Sequence, residues 1–216
     1  MCRRRSTLFL AVWGILCCCG SIYAATDSKT AVNRELAKPV VRGAIVFKTY
    51  CKLCHGERGD GLGRAAKIHD RKSMAIRSRS PEYYEKIIRQ GGEAVGRSSF
   101  MPVWQDELSE EQITDVISYL SVIGNSTNRG ETVFKANCIL CHGIKGNGKG
   151  RASVLFDPPP ADLTHSDKND DYKKMIITYG GAAMGRSSVM PIWGEQLSEV
   201  EINDVVNYIN TLVVVD

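Results

Sequence analysis

Two short stretches carry the residue types that do chemistry: Cys51-Lys52-Leu53-Cys54-His55 and Cys138-Ile139-Leu140-Cys141-His142. A thioredoxin-like dithiol uses CxxC beside a βαβ pattern and has no use for the histidine. A zinc site could pool four cysteines, but zinc ribbons place their pairs far closer than the 87 residues that separate these motifs. Covalent attachment of c-type haem uses every residue. The two thiols add across the vinyl groups, and the adjacent histidine becomes the proximal iron ligand. Of the 8 cysteines in the chain, the other four, Cys2, Cys17, Cys18 and Cys19, lie near the N-terminus, and none is left over for a structural disulfide. The spacing predicts two haem c groups, attached through Cys51, Cys54, Cys138 and Cys141, with His55 and His142 on the irons.

A low-spin electron carrier needs a sixth iron ligand, and a methionine thioether stabilises the reduced iron. Met101 and Met190 lie 46 and 48 residues after His55 and His142, each in the frame Ser-Ser-X-Met-Pro-X-Trp. A methionine is more often core filler than ligand. These are the ones the two halves share: Met184 aligns with Val95, and Met74 and Met175 have no methionine counterpart. Pro102 and Pro191 stiffen the loops that present them. His69 and His165 are rival ligands, but they are not at equivalent positions and read as surface residues.

The elements that must position these groups are duplicated. Gly43–His55 (GAIVFKTYCKLCH) matches Gly130–His142 (GETVFKANCILCH) at an offset of 87, and Gly91–Ile113 matches Gly180–Ile202 at an offset of 89. The two extra residues of the second copy are expected around Asp157–Asp162, where DPPPAD has no proline counterpart. The duplication predicts a flexible lead-in over 26–38, one domain over 39–123, a polar linker over 124–128 and a second domain over 129–216. Each unit reads as helical. Segments 40–50 and 129–137 run into the motifs. Ser80 caps a helix over 81–89, and 171–179 is its counterpart. Ser109 with Gln112, and Ser198 with Glu201, form capping boxes before runs of apolar residues at helical spacing. The glycine-rich stretches after each motif read as loops, and no alternating run suggests a sheet. The fold class is all-α.

The N-terminus reads as an export signal over residues 1–25: Arg3–Arg5, the apolar run Leu8–Gly20, and small residues for cleavage after Ala24 or Ala25. The run is short for a membrane span. An uncleaved anchor, and lipid attachment at Cys17–Cys19, are the alternatives. The predicted location is the periplasm or an equivalent exported compartment. The net charge of +4 includes those three arginines, and no basic stripe suggests a nucleic-acid binder.

With these motifs in place, residues 40–214 resemble the class I c-type cytochromes in a tandem dihaem arrangement. The resemblance implies two domains of a few helices wrapped around a covalently attached haem. In that family a Gly-x-x-x-aromatic helix crosses the C-terminal helix beside an aromatic, which implies Gly43 and Phe47 against Tyr119, and Gly130 and Phe134 against Tyr208. The family also places a proline after CxxCH whose carbonyl accepts the ring N–H of the proximal histidine. Pro158–Pro160 are candidates in the second copy, and no proline lies between His55 and Pro81 in the first.

The function expected is an exported carrier moving single electrons between redox protein partners, touching membrane only transiently or through a partner complex. With both axial positions filled there is no open site for substrate, which argues against an enzyme. The alternatives are an electron-transfer subunit of a larger oxidoreductase complex and a small haem enzyme of the peroxidase or thiosulfate-oxidising type. The domains differ in charge. The segment between motif and methionine loop carries Lys67, Arg71, Lys72, Arg77 and Arg79 in the first copy, and Asp157, Asp162, Asp167, Asp170 and Asp171 in the second. Either both are solvated loops, or the basic one steers an acidic partner.

Overall fold

The computed structural model describes residues 30–68 and 75–214, so the export segment, His69, Arg71, Lys72 and Met74 lie outside the described residues. The described chain is helical, and its one β feature is an isolated bridge between Asp60 and Ala75. Helix α1 covers 30–36. The first domain follows with α2 (Pro39–Val46), a π turn (Phe47–Cys51), α3 (Lys52–His55), α4 (Pro81–Gln90) and α5 (Glu110–Leu120). The second has α6 (Ser126–Asn137), α7 (Ile139–His142), α8 (Asp170–Ala183, broken at Gly180) and α9 (Glu199–Leu212).

The helices begin where the capping residues dictate. Ser80 accepts from the Tyr83 amide ahead of Pro81, and both capping boxes close reciprocally, at Ser109 with Gln112 and Ser198 with Glu201. In each domain the first and last helices cross at a glycine. A Cβ on Gly43 would sit 1.9 Å from the Asp115 carbonyl oxygen, and one on Gly130 would sit 1.9 Å from that of Asp204. No side chain fits there, and the aromatic pairs fill the seam: Phe47 and Tyr119 at 5.5 Å, Phe134 and Tyr208 at 5.4 Å. An arginine one residue before each glycine ties the same crossing. Arg42 and Arg129 each make a forked pair with the aspartate of the last helix, Asp115 and Asp204.

Three expectations are corrected. The lead-in over 26–38 is not a free tether from residue 30 onward: α1 buries Val32 to 2% exposure in the second domain's core, with Leu36 packed beside it. Polar composition concealed this, because two apolar residues four apart suffice to dock one short helix. The linker over 124–128 is shorter than expected, since Asn125 caps a helix that starts at Ser126. The two extra residues do not fall in Asp157–Asp162. The Ile76 amide donates to Gly59 O at 2.6 Å and the Leu163 amide to Gly146 O at 2.7 Å, so the offset is still 87 at Leu163. The helix caps Ser80 and Asn169 stand at 89. The insertion therefore lies between Leu163 and Asn169, beside a 3-10 turn at Leu163–His165. Hydrogen-bond register, not proline count, locates it.

Candidate functional site

In the first domain the π turn and α3 carry Cys51, Cys54 and His55 to one wall of a cavity of about 570 Å³, within the range of small-molecule and cofactor sites. Met101, Pro102 and Trp104 form part of its lining from the loop between α4 and α5. Phe47, Ile76, Tyr84, Ile87, Ile88, Val116 and Leu120 supply apolar surface. The structure thus gathers both thiols, the histidine and the frame-matched methionine around one space. An apolar cavity with two thiols, an imidazole and a thioether fits a covalently held haem, because every donor is soft or neutral and suits iron or a vinyl carbon.

The local backbone explains how the groups are held. After each motif the chain folds back on it: the Gly61 amide donates to His55 O and the Gly148 amide to His142 O, both at 2.9 Å. Each methionine loop is pinned to the end of the preceding helix. The Gly92 amide donates to Met101 O and the Gly181 amide to Met190 O, both at 3.0 Å. A Cβ at Gly92 or Gly181 would lie 2.1 Å from a serine carbonyl. These glycines were missed as functional positions, although the Gly-Gly pair recurs in both copies. Met101 and Met190 pack against the two separate core clusters, each with the tryptophan of its frame.

Burial pushes the Cys51 and Cys138 thiols up to about 12, so before attachment both are held as neutral thiols. All four motif cysteines are unpaired with one another. Burial lowers the His142 imidazole, opposed by a backbone hydrogen bond: Nδ1 lies 3.1 Å from the Ala161 carbonyl. A neutral ring held through one nitrogen offers the other to a metal. The acceptor is the residue after Pro158–Pro160, so the expected proline carbonyl is corrected to that of Ala161. The register places its first-domain counterpart at position 74, outside the described residues. His165 is exposed and pairs with Asp162 and Thr164. Among the described residues no three His, Cys, Asp or Glu side chains converge to hold a metal ion.

The charged residues around the first-domain cavity differ from those at the equivalent positions of the second domain. Arg77, Arg79 and Arg97 line the cavity, all exposed, and Arg79 lies over the Tyr83 ring. At equivalent positions of the second domain, Lys168 lies over Tyr172 and is paired with Asp167, and Arg186 donates to Tyr172.

The profile of the family described as "Cytochrome C oxidase, cbb3-type, subunit III" matches residues 38–120 and again 125–209. The chain belongs to this family. It is therefore a pair of tandem cytochrome c domains, all-α, each binding one covalently attached haem c, and its work is electron transfer. The cbb3-type cytochrome c oxidase subunit CcoP of Azospirillum brasilense is 26% identical over 89% of this chain and 68% of its own length. Subunit FixP of Azorhizobium caulinodans is 27% identical over 79% of this chain. CcoP of Rhodobacter capsulatus is 29% identical over 79% of it. The chain spans 58% and 61% of the length of the last two. A solved chain of the Kuenenia stuttgartiensis reducing HAO-like protein complex Kustc0457/Kustc0458 is 21% identical, with a TM-score of 0.36 and coverage of 80% of this chain and 96% of that one. No helix among the described residues is long and apolar enough to cross a membrane.

Proposed function

We propose that this cytochrome carries single electrons through two haems ligated by His55 and Met101 in the first domain and by His142 and Met190 in the second. Cys51 and Cys54, and Cys138 and Cys141, form the thioether bonds. The observation that carries the reading is the first cavity, whose wall includes both thiols, the histidine and the methionine together. Bound haem supplies a one-electron ferric/ferrous couple. The chain's own residues do the rest. The glycine-pinned loops hold each thioether in place, the apolar lining excludes water, and the neutral imidazole keeps its orientation through its backbone acceptor. A histidine and a methionine holding each iron would leave no coordination position for substrate, and the chain would conduct electrons rather than catalyse.

The setting proposed is an exported compartment, where the chain serves as the electron-transfer component of a larger oxidase-type assembly. The names of its relatives, subunits of cytochrome c oxidases, support this over a free carrier. The deciding experiment pairs two substitutions with one purification. Met101→Ala and Met190→Ala should each open one iron to carbon monoxide, and Met184→Ala neither. Mild purification from membranes should bring oxidase subunits with the chain. An iron that stays closed after its methionine is removed would sink the ligand assignment, and a chain that purifies alone would return the free-carrier reading.

A further inference from the structure

The domains meet at a small polar cluster, and both first-domain side chains in it bracket the haem-attachment motif. Lys48 lies in the π turn, three residues before Cys51, and its Nζ donates to Glu201 at 2.8 Å and to the Gln196 carbonyl at 3.1 Å. Glu57 follows His55 by two residues and accepts from Ser198 Oγ at 2.6 Å. On the other side, Ser198 and Glu201 are the capping box of α9. The backbone leading into it is tied to the methionine frame, since the Gln196 and Leu197 amides donate to Trp193 O at 2.9 and 2.7 Å, three residues after Met190. The cluster thus links the segment that attaches haem in one domain to the loop that presents the axial methionine in the other. Close by, Arg129 of α6 donates to Ile123 O at 2.6 Å while paired with Asp204, closing the junction from the linker side.

The duplication shows that this use is specific to one copy. Lys135 stands where Lys48 does, yet it pairs with Glu131 and with Glu35 of α1. Ile144 stands where Glu57 does. The same Phe-Lys-x-x-Cys stretch is an ordinary α-helix in the second domain, where the Cys138 amide donates to Phe134 O. In the first it widens to a π turn, with the Lys52 amide donating to Phe47 O. Such widenings recur at functional positions, and this one occurs in the copy that makes the junction. A lone half-exposed ion pair contributes little. Here the same few residues converge in a network from both sides of the motif.

We infer that Lys48 and Glu57 are positioning residues for electron exchange between the two haems. They hold the attachment segment of the first domain against the methionine-loop side of the second, so exchange runs through a fixed junction and not through chance encounters of tethered domains. One electron leaves the ferrous iron of one domain and reduces the ferric iron of the other, and no proton or third reagent takes part. The inference rests on the dihaem reading above. The test is rapid one-electron reduction of the full-length dihaem protein by pulse radiolysis, following the concentration-independent equilibration between haems, with small-angle scattering on the same samples. The unsubstituted protein should equilibrate at a rate indifferent to solvent viscosity. Lys48→Ala with Glu57→Ala should slow that phase at least tenfold, make it viscosity-dependent and broaden the scattering profile, while both haem spectra and both potentials stay unchanged. Lys48→Arg should restore the fast phase when Glu57 is kept. An unchanged rate in the double variant, or an unchanged domain arrangement, overturns the inference. Failure of the dihaem reading would appear separately, as an absent haem or an open iron in the unsubstituted spectra.

Discussion

The two domains are copies of one plan built to different electrostatic ends. The forked arginine–aspartate pair that ties the helix crossing is 7% and 6% exposed in the second domain, but Arg42 of the first is 35% exposed. Both arginines also donate to a backbone carbonyl ahead of their helix, Arg129 to Ile123 O and Arg42 to Ala37 O, so the difference lies in exposure and not in these partners. Burial pushes the Asp204 carboxyl upward against the pull of the Arg129 guanidinium. The charges around the first cavity and at the equivalent positions of the second domain diverge in the opposite sense. The first presents three arginines without a carboxylate at ion-pair distance among the described residues, while Lys168, the second domain's equivalent of Arg79, is paired with Asp167. The second domain also borrows α1 from ahead of the first. Duplication has therefore fixed the haem-holding frame in both copies and left the covering of its outer faces to differ.

The sharpest break in the comparison should come from the crossing pairs. Arg129→Ala strands Asp204 in a buried site, and loss of one partner of a buried pair costs roughly 3–5 kcal/mol. Arg42→Ala also strands a buried carboxylate, Asp115, but should cost less, because the Arg42 guanidinium is 35% exposed and water can reach the gap it leaves. Urea unfolding of the two variants, followed by haem absorbance, should show the larger shift in the first. Equal losses would mean that burial of the carboxylates, alike in the two domains, sets the cost.

Next in size is the borrowed helix. Val32→Ala removes two methyl groups from the second domain's core and should cost about 2 kcal/mol there, from lost transfer energy and the residual cavity. The first domain should be unaffected, although Val32 lies seven residues ahead of its first helix. Hydrogen exchange resolved by domain would check this, and protection lost from the first domain alone would reverse the assignment.

A subtler contrast is in the potentials. Uncompensated guanidinium groups stabilise the less positive, ferrous state of a nearby iron, so the first haem should be the more oxidising. A tenfold bias in electron distribution corresponds to about 59 mV for a one-electron couple. Changing Arg77, Arg79 and Arg97 to Gln should shrink the gap in a potentiometric titration, and the same variant should lose salt-dependent association with an acidic partner. A gap that stays constant would place its origin elsewhere.

The smallest effect concerns Glu35. Burial raises its pKa, but Lys38 and Lys135 together hold it below the ordinary 4.5. A carboxylate with a lowered folded pKa contributes stability that is full above its unfolded value and is lost as pH falls through the folded one. The docking of α1 should therefore be constant above pH 4.5 and weaken below it. Glu35→Gln should abolish that dependence, measured as proteolytic accessibility of residues 30–36. Unaltered acid sensitivity in the variant would assign it to another carboxylate.

The sequence by itself determined much of this protein. Two CxxCH motifs, two methionine frames and both capping boxes were readable because each is a local pattern, and the 87-residue repeat served as its own control; the glycine–aromatic crossings were implied only by the resemblance to class I cytochromes. Arg42, Arg129, Asp115 and Asp204 were equally repeated, yet they carried no signal until the crossing brought residues some 75 positions apart into one fork. The acceptor of His142 was nearly readable, but a backbone carbonyl leaves no mark on residue type, and Ala161 supplied it in place of a proline. Only the tertiary structure decided that α1 belongs to the second core, that the insertion lies after Leu163, and that Lys48 and Lys135 face different partners. The physical reason is common to all three. They depend on which surface covers which, and such burial is set by the packing of distant segments that local spacing does not encode.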